Sequence, residues 1–202
     1  MKNYILSYSA RGDFIKKIYV SERDDSFICW KYDGDLSRCF CDRVYAKVGY
    51  DIVVISRDNS IRTVSFSSTL PRYQSFKRIS EIFFVRRDKI ETFIFGIGGI
   101  PCKNSETGES DKFGCNISIS YNIFQSERFI RQFSEYETTY LKITERLRKD
   151  LKEPLKNILS KPLLNKDSNL ISQRLYDNED EISSVLNTYG LQLKTLVLNN
   201  II

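Results

Sequence analysis

The sequence of 202 residues contains no histidine. Histidine is the general base of Ser-His-Asp and Cys-His catalysis, so its absence excludes both mechanisms. It also excludes the common zinc and non-haem iron sites, which use imidazole ligands. An enzyme built on this chain would depend on carboxylate, lysine, tyrosine or unassisted cysteine chemistry. We find no motif that arranges such groups, and the sequence therefore predicts no catalytic residues and no cofactor.

Long hydrophobic runs are also missing. A membrane-spanning helix needs about 18 consecutive apolar residues, whereas the longest apolar stretches, residues 52–55 and 92–100, have the length of a strand. The first ten residues carry one lysine and lack the apolar segment of a signal peptide. We therefore expect a cytoplasmic protein, at most peripheral at the inner face of the membrane.

The cysteines are few, odd in number and irregularly spaced: Cys29, Cys39, Cys41, Cys102 and Cys115. In a cytoplasmic protein they would stay reduced. The Cys39-x-Cys41 pair has no second pair at zinc-ligand spacing, so no metal site is expected. A reactive-cysteine enzyme is a minor alternative, because Arg38 and Arg43 can lower a thiol pKa but cannot act as a base.

The first 125 or so residues read as consecutive strands. Short segments rich in aromatic and β-branched residues are separated by turn signals, including Gly34 after Asp33 and Gly49 after Val48. Residues 50–56 are almost entirely apolar, which predicts a strand buried on both faces. Short turns between consecutive strands predict a twisted, mostly antiparallel sheet.

The second half has helical periodicity. Ser126 is a candidate N-cap, a longer helix is expected from about Glu137 with a kink or break at Pro154, and Asp177 is expected to cap a helix that Gly190 ends. A closing strand follows. Strands followed by helices and one returning strand predict an α+β fold in a single domain, residues 1–202, with 1–125 mainly β and 126–202 helices plus the closing strand.

Residues 96–99 form a glycine-rich cluster, Gly-Ile-Gly-Gly, which invites a phosphate-binding interpretation. The cluster matches no phosphate-loop pattern, and Pro101 with a polar segment follows it instead of a helix. We therefore interpret it as a bulge or tight turn that leaves a strand, with Gly96 as a structural turn residue.

Basic residues gather on one face of the expected long helix, opposite its apolar stripe: Lys142, Arg146, Lys149 and Lys156. Two interpretations stay open. The face is either simply solvated or it contacts anionic lipid headgroups.

A second basic region spans residues 72–89 and includes Arg86 and Arg87, which are further candidates for contact with an anionic surface. Aromatic residues lie among its charges, a pattern that also occurs in proteins that bind single-stranded nucleic acid. Alternation along strands explains the aromatics equally well. The formal net charge of +5 permits either partner and demands neither.

Several of these segments, in this order, resemble the SPFH, or band 7, domain of stomatin, prohibitin and flotillin relatives, and especially the bacterial group labelled virion-core-protein-like. The similar stretches are residues 26–32 before Gly34, 48–52, 81–85, 95–96, 113–123, 125–130 and 186–193. The last, Leu-Asn-Thr-Tyr-Gly-Leu-Gln-Leu, resembles the family's step into its closing strand. The likeness covers nearly the whole chain.

The resemblance implies a scaffold domain that self-associates, often on a membrane, and that has no catalytic residues to transfer. The sequence ends at Ile202, where many relatives continue into an assembly tail, so we expect weak or partner-dependent association. The expected function is a non-enzymatic scaffold or interaction module, with itself, a partner protein or anionic lipid as partners and no small-molecule substrate. The alternative is a basic nucleic-acid-binding protein.

Overall fold

A computed structural model of the chain describes residues 4–8, 14–19, 27–32, 44–46, 48–64, 79–134, 137–160, 163–164 and 166–202. It divides the chain into two compact units. Unit 1 comprises Met1–Lys89 and Gln125–Tyr140, and unit 2 comprises Ile90–Phe124 and Leu141–Ile202. The described strands form largely antiparallel sheets accompanied by helices, which confirms the predicted α+β class.

The described elements are as follows. The strands are β1 (Tyr4–Tyr8), β2 (Phe14–Tyr19), β3 (Phe27–Lys31), β4 (Val44–Tyr45), β5 (Tyr50–Ser56), β6 (Ile61–Val64), β7 (Ile79–Arg86), β8 (Glu91–Lys103), β9 (Ser110–Ile123), β10 (Glu137–Thr139), β11 (Leu163–Leu164) and β12 (Leu191–Ile201). The helices are α1 (Ser126–Gln132), α2 (Tyr140–Leu159), α3 (Ser168–Asp177) and α4 (Glu179–Thr188).

Unit 1 contains two sheets. One has the order β10-β3-β7-β5-β6 with antiparallel pairing throughout, and the smaller one has the order β1-β2-β4. The interior strand β5 buries Ile52, Val53 and Val54 completely, so it is covered on both faces as predicted. Ile52 and Val54 join a core that includes Trp30 and Phe84. The turn predicted at Gly34 and residues 35–43 after it lie outside the described residues, and Val44 belongs to β4.

The turn before β5 depends on Gly49, which has a φ of +90°. Its carbonyl oxygen accepts hydrogen bonds from the backbone N–H groups of Arg87 (2.7 Å) and Asp88 (3.2 Å). A Cβ atom at this position would lie 2.5 Å from the carboxylate of Asp88. Both the backbone conformation and the close approach require glycine here, and the predicted turn is confirmed.

Helix α1 starts at Ser126, so the prediction that Ser126 is its N-cap was wrong. Gln125 is the N-cap residue and provides no side-chain capping bond. The Ser126 hydroxyl instead donates a hydrogen bond to the Asp51 carboxylate on β5 at 2.6 Å. The Ser126 hydroxyl, which the local sequence suggested as a helix cap, therefore bonds to a charged acceptor on another element. Phe129 and Ile130 are buried.

Unit 2 contains a sheet of order β11-β8-β9-β12, in which the three long strands pair antiparallel. Strand β9 alternates between buried and partly covered residues. Cys115, Ile117 and Ile119 are fully buried, whereas Asn116 and Ser118 on the other face are only partly covered. The partly covered side chains bond across strands, for example Asn116 Nδ2 to Asn200 Oδ1 at 3.0 Å.

The glycine cluster lies inside β8 and does not end it. The pairing register between β8 and β9 shifts between Ile97 and Ile100, and Gly99 has a φ of +75°. The predicted bulge is therefore present, but the strand continues to Lys103 and the predicted exit into a loop was wrong. Gly96 is likewise not a turn residue, because it pairs with Asn116 in the ladder. A bulge absorbs an irregularity without ending the pairing.

Helix α2 begins at Tyr140 instead of Glu137, because Glu137–Thr139 form β10 and pair with β3. Its apolar stripe is buried as predicted, at Ile143, Leu147, Leu151, Leu155 and Ile158. Pro154 lies inside the helix without dividing it, so the expected alternative of two helices was wrong. Proline removes one backbone hydrogen bond, and the stripe continues on both sides of that position.

The closing helices differ from prediction at their junction. Asp177 is the last residue of α3, and α4 has Asn178 as its N-cap, so the capping role assigned to Asp177 was wrong. Helix α3 was not predicted; Asp167 caps it by accepting a hydrogen bond from the Asn169 N–H at 2.8 Å. Gly190 follows the C-cap of α4 with a φ of +72°, and β12 begins next, as predicted.

Candidate anion-binding site

The four basic residues predicted on α2 are all exposed on the face opposite its buried stripe. Helix α2 contains six basic residues and only three acidic residues. Lys142, Lys149 and Lys156 recur every seven residues, which places them two turns apart on nearly the same side. The predicted basic face therefore exists as one row on one element of unit 2.

The exposed side chain of Arg146 also contacts an aromatic ring of the same unit. Its guanidinium carbon lies 5.4 Å from the centroid of the Tyr189 ring, a cation–π distance. The Tyr189 hydroxyl donates a hydrogen bond to the Asp150 carboxylate, also on α2. Burial and the Asp150 carboxylate both raise the pKa of Tyr189. The three side chains therefore join α2 to the end of α4, just before Gly190, and Arg146 contributes to that contact.

Arg86 and Arg87 belong to unit 1 and are engaged with acidic residues. The Arg87 guanidinium lies 3.3 Å from the Asp51 carboxylate, and Arg86 lies 3.3 Å from that of Asp88. Arg86 also lies over the Tyr50 ring at 6.0 Å. Acidic residues of unit 1 thus compensate much of the charge of Arg86 and Arg87, the two predicted contacts with an anionic surface.

The aromatic residues of the second basic region are not available to stack on bases where the structure describes them. Phe83 and Phe84 on β7 are buried, with Phe84 in the unit 1 core. Tyr73, Phe76, Lys77 and Arg78 lie outside the described residues.

A cleft of about 240 Å³ lies between the glycine bulge of β8 and the C-terminal end of α2. Its walls include Gly98, Gly99, Lys112, Lys156, Leu159 and Ser160. The structure therefore brings Lys156, a predicted surface contact, together with the glycine cluster. Lys112 was missed in the sequence, because only the ladder pairing of Lys112 with Pro101 places it beside the bulge.

Asp111, the acidic residue next to Lys112 in the sequence, does not neutralise the lysines of this cleft. Asp111 forms an ion pair with Lys166 at 3.3 Å. A hydrogen bond from the backbone N–H of Lys112 and the Lys166 ammonium hold the pKa of Asp111 below its usual value. No acidic side chain in the described part of the chain forms an ion pair with the ammonium group of Lys112 or Lys156.

The described cysteines are poor nucleophiles. Cys29, Cys102 and Cys115 are free thiols, and all three are buried. Burial raises the pKa of Cys29, and it raises the pKa of Cys115 to about 11. Since the thiolate is the reactive form, Cys29 and Cys115 stay neutral and inert near neutral pH. Cys39 and Cys41 lie outside the described residues.

The raised pKa of Cys115 predicts a loss of stability in alkali. The neutral thiol is favoured in the folded state, so the stabilisation is complete below the unfolded pKa of about 8.5 and disappears as pH rises through about 11. We expect the urea midpoint to fall over this interval, and to fall less steeply in Cys115→Ala. Urea unfolding followed by circular dichroism measures both curves. Parallel curves for the two proteins would contradict the assignment.

No group of three or more potential metal ligands occurs among the residues that the structure describes. Within the same residues, no helix is both long enough and apolar enough to cross a membrane. The sequence matches no family model and no curated protein. A functional proposal for this chain therefore rests on its own geometry.

Proposed function

We propose that this chain is a non-enzymatic interaction module, similar to the SPFH type, that gathers partner proteins or further copies of itself at an anionic membrane surface. The observation that carries the proposal is the division of α2 into a fully buried apolar stripe and an exposed basic face. The inner face of the cytoplasmic membrane is the surface that fits this charge.

The buried stripe determines the kind of contact. Leu147, Leu151 and Leu155 have no exposed surface, so α2 cannot place its apolar side in the bilayer as an interfacial helix does. The stripe therefore contributes nothing to such a contact, and the exposed cations of α2 supply its charge. Each basic residue near an anionic surface contributes about 1 kcal/mol, an interaction that salt screens.

The row of lysines suits an extended surface. Seven residues correspond to about 10.5 Å along a helix, so Lys142, Lys149 and Lys156 span about 21 Å. Glu145 and Glu153 lie on the same side of α2 and weaken the field without cancelling it. Arg146 is held by Tyr189 and contributes charge from a fixed position.

Vesicle sedimentation tests the proposal. The full chain should sediment with phosphatidylglycerol-containing vesicles at about 0.1 M salt, where the screening length is about 10 Å, and should be released at about 1 M, where it is about 3 Å. Neutral phosphatidylcholine vesicles are the control and should not retain the protein. Binding that is absent from anionic vesicles, or equal on both kinds, would overturn the membrane contact.

Two further measurements on the same preparation separate the alternatives. A gel shift with single-stranded DNA or RNA stronger than vesicle binding would favour the nucleic-acid function instead. Light scattering at rising protein concentration reports whether copies associate. A constant monomer mass would restrict the proposal to partner proteins.

A further inference from the structure

We propose that the cleft between the β8 bulge and the end of α2 is a binding site for a small amphiphilic anion, meaning one carboxylate or phosphate group carried on a short apolar chain. This site shares Lys156 with the basic face of α2, but it does not depend on the membrane proposal, because the glycine bulge and Lys112 belong to β8 and β9. Three independent features of the cleft support it.

The first feature is the pairing of apolar walls with two cations. Ile97, Ile100, Pro101 and Leu159 provide the apolar lining, and Lys112 and Lys156 are the charged residues of the lining. Asp111, the neighbour of Lys112, is held by Lys166. The anionic group of a ligand would therefore contact two lysines that form no ion pair with a described carboxylate. Its apolar chain would contact the apolar side chains of the lining.

The second feature is the backbone of the bulge. The ladder pairs Ile97 with Cys115 and Ile100 with Phe113, which leaves Gly98 and Gly99 without a partner residue on β9. The intervening Gly114 exchanges its backbone hydrogen bonds with Ile202 instead, at 3.0 and 2.7 Å. The bulge and the positive φ of Gly99 bend the strand locally, so the backbone of Gly98 and Gly99 forms part of the cleft wall.

The third feature is the identity of Gly98. Its φ does not lie in the left-handed region, and a Cβ atom placed on it would meet no atom within 4 Å. Neither backbone geometry nor packing therefore requires glycine at this position. A glycine here does leave the backbone of the bulge open to a group in the cleft, as close approach of a ligand requires.

The volume of the cleft and the hydrogen-bonding groups of its lining restrict the class of ligand that fits. A volume of about 240 Å³ lies below the range of about 300–1,000 Å³ that encloses drug-sized molecules, so a single short chain fits best. The Ser160 hydroxyl already donates to the Asn157 carbonyl at 2.7 Å and cannot donate to the ligand as well. The charged donors that line the cleft are then Lys112 and Lys156.

Titration calorimetry with soluble probes tests the site. Hexyl phosphate and hexanoate should bind saturably, whereas hexanol, which lacks the charge, and inorganic phosphate, which lacks the chain, should each bind at least about tenfold more weakly. Hexanol binding as tightly as hexyl phosphate would overturn the proposal. So would inorganic phosphate equal to hexyl phosphate, which would indicate an adventitious ion only.

Matched variants locate the binding. Lys112→Ser and Gly98→Leu should each weaken hexyl phosphate binding by about tenfold or more, one by removing a cation and the other by filling the cleft. Lys103→Ser, an exposed lysine on β8 outside the cleft, should leave it unchanged. If Gly98→Leu fails to fold, Lys112→Ser remains decisive. Unchanged affinity in Lys112→Ser would overturn the site.

The same variants identify the source of the anion. If membrane lipid supplies it, Lys112→Ser will weaken both hexyl phosphate binding and vesicle sedimentation. If a free metabolite supplies it, only hexyl phosphate binding will change. Both results support the site, and neither depends on whether the basic face of α2 binds vesicles.

Discussion

Replacing Gly49 by alanine is expected to lower the free energy of unfolding by about 2–4 kcal/mol. A φ of +90° costs a residue with a Cβ about 1–3 kcal/mol. The new Cβ would also lie 2.8 Å from the Asp88 Cβ, which side-chain rotation cannot move, so the backbone that bonds Arg87 and Asp88 to Gly49 must shift. Urea unfolding followed by circular dichroism measures the loss, as a lower midpoint at unchanged slope.

Gly108 provides the matched control for this substitution. It also has a positive φ, of +70°, but a Cβ on it would meet no atom within 4 Å. Gly108→Ala should therefore cost only the backbone contribution, about 1 kcal/mol. Equal losses in the two variants would show that the approach of Asp88 to Gly49 contributes nothing.

Leu151→Ala is expected to cost about 2–5 kcal/mol, because it removes a fully buried side chain from the middle of the α2 stripe and leaves a cavity. The neighbouring Lys152→Ala is the control. Its side chain is exposed, so its effect should stay within about 0.5 kcal/mol. Thermal and urea unfolding by circular dichroism measure both. A loss below about 1 kcal/mol for Leu151→Ala would contradict the burial of the stripe.

The Leu151→Ala variant also tests the expectation of a single domain. Trp30 is the only tryptophan and lies in the core of unit 1, whereas Leu151 lies in unit 2. In one cooperative domain, the fluorescence of Trp30 and the circular dichroism signal shift together. A shift in circular dichroism without a shift in Trp30 fluorescence would indicate that the units unfold separately.

Strong periodicity was sufficient to predict several elements. The apolar run of β5, the alternation of β9 and the stripe of α2 each repeat one signal over many residues, and packing agrees with all three. Gly190 was predictable because a helix end followed by a strand has few backbone solutions, and glycine is the residue that fits the positive φ.

The errors occurred where another part of the chain decided the local structure. Ser126 lost its capping role to the Asp51 carboxylate, and residues 137–139 became a strand because β3 offers them hydrogen bonds. Helix α3 escaped prediction because its apolar pattern is weak, with only Ile171 and Leu175 buried. A single sequence contains no local signal for such long-range pairing.

The cleft could not be predicted for the same reason. The lysine on β9 and the lysine on α2 are separated in sequence and meet only through the register of β8 with β9 and the position of the helix end. The glycine cluster was visible in the sequence. Its lack of a following helix argued against a phosphate loop, but it did not show that cations from two other elements would line its bulge.

The measurement that tests the central claim most directly compares two charge-reversal variants in vesicle sedimentation. Lys142→Glu with Lys149→Glu changes the basic face of α2 and leaves Lys156, which lines the cleft, in place. Arg57→Glu with Lys194→Glu makes the same change in net charge at exposed positions outside α2. At about 1 kcal/mol per cation, the α2 variant should bind anionic vesicles about 30-fold more weakly or worse, and the control should change by less than about threefold. Equal losses in the two variants, or full binding by the α2 variant, would contradict the claim that this face holds the protein at a membrane.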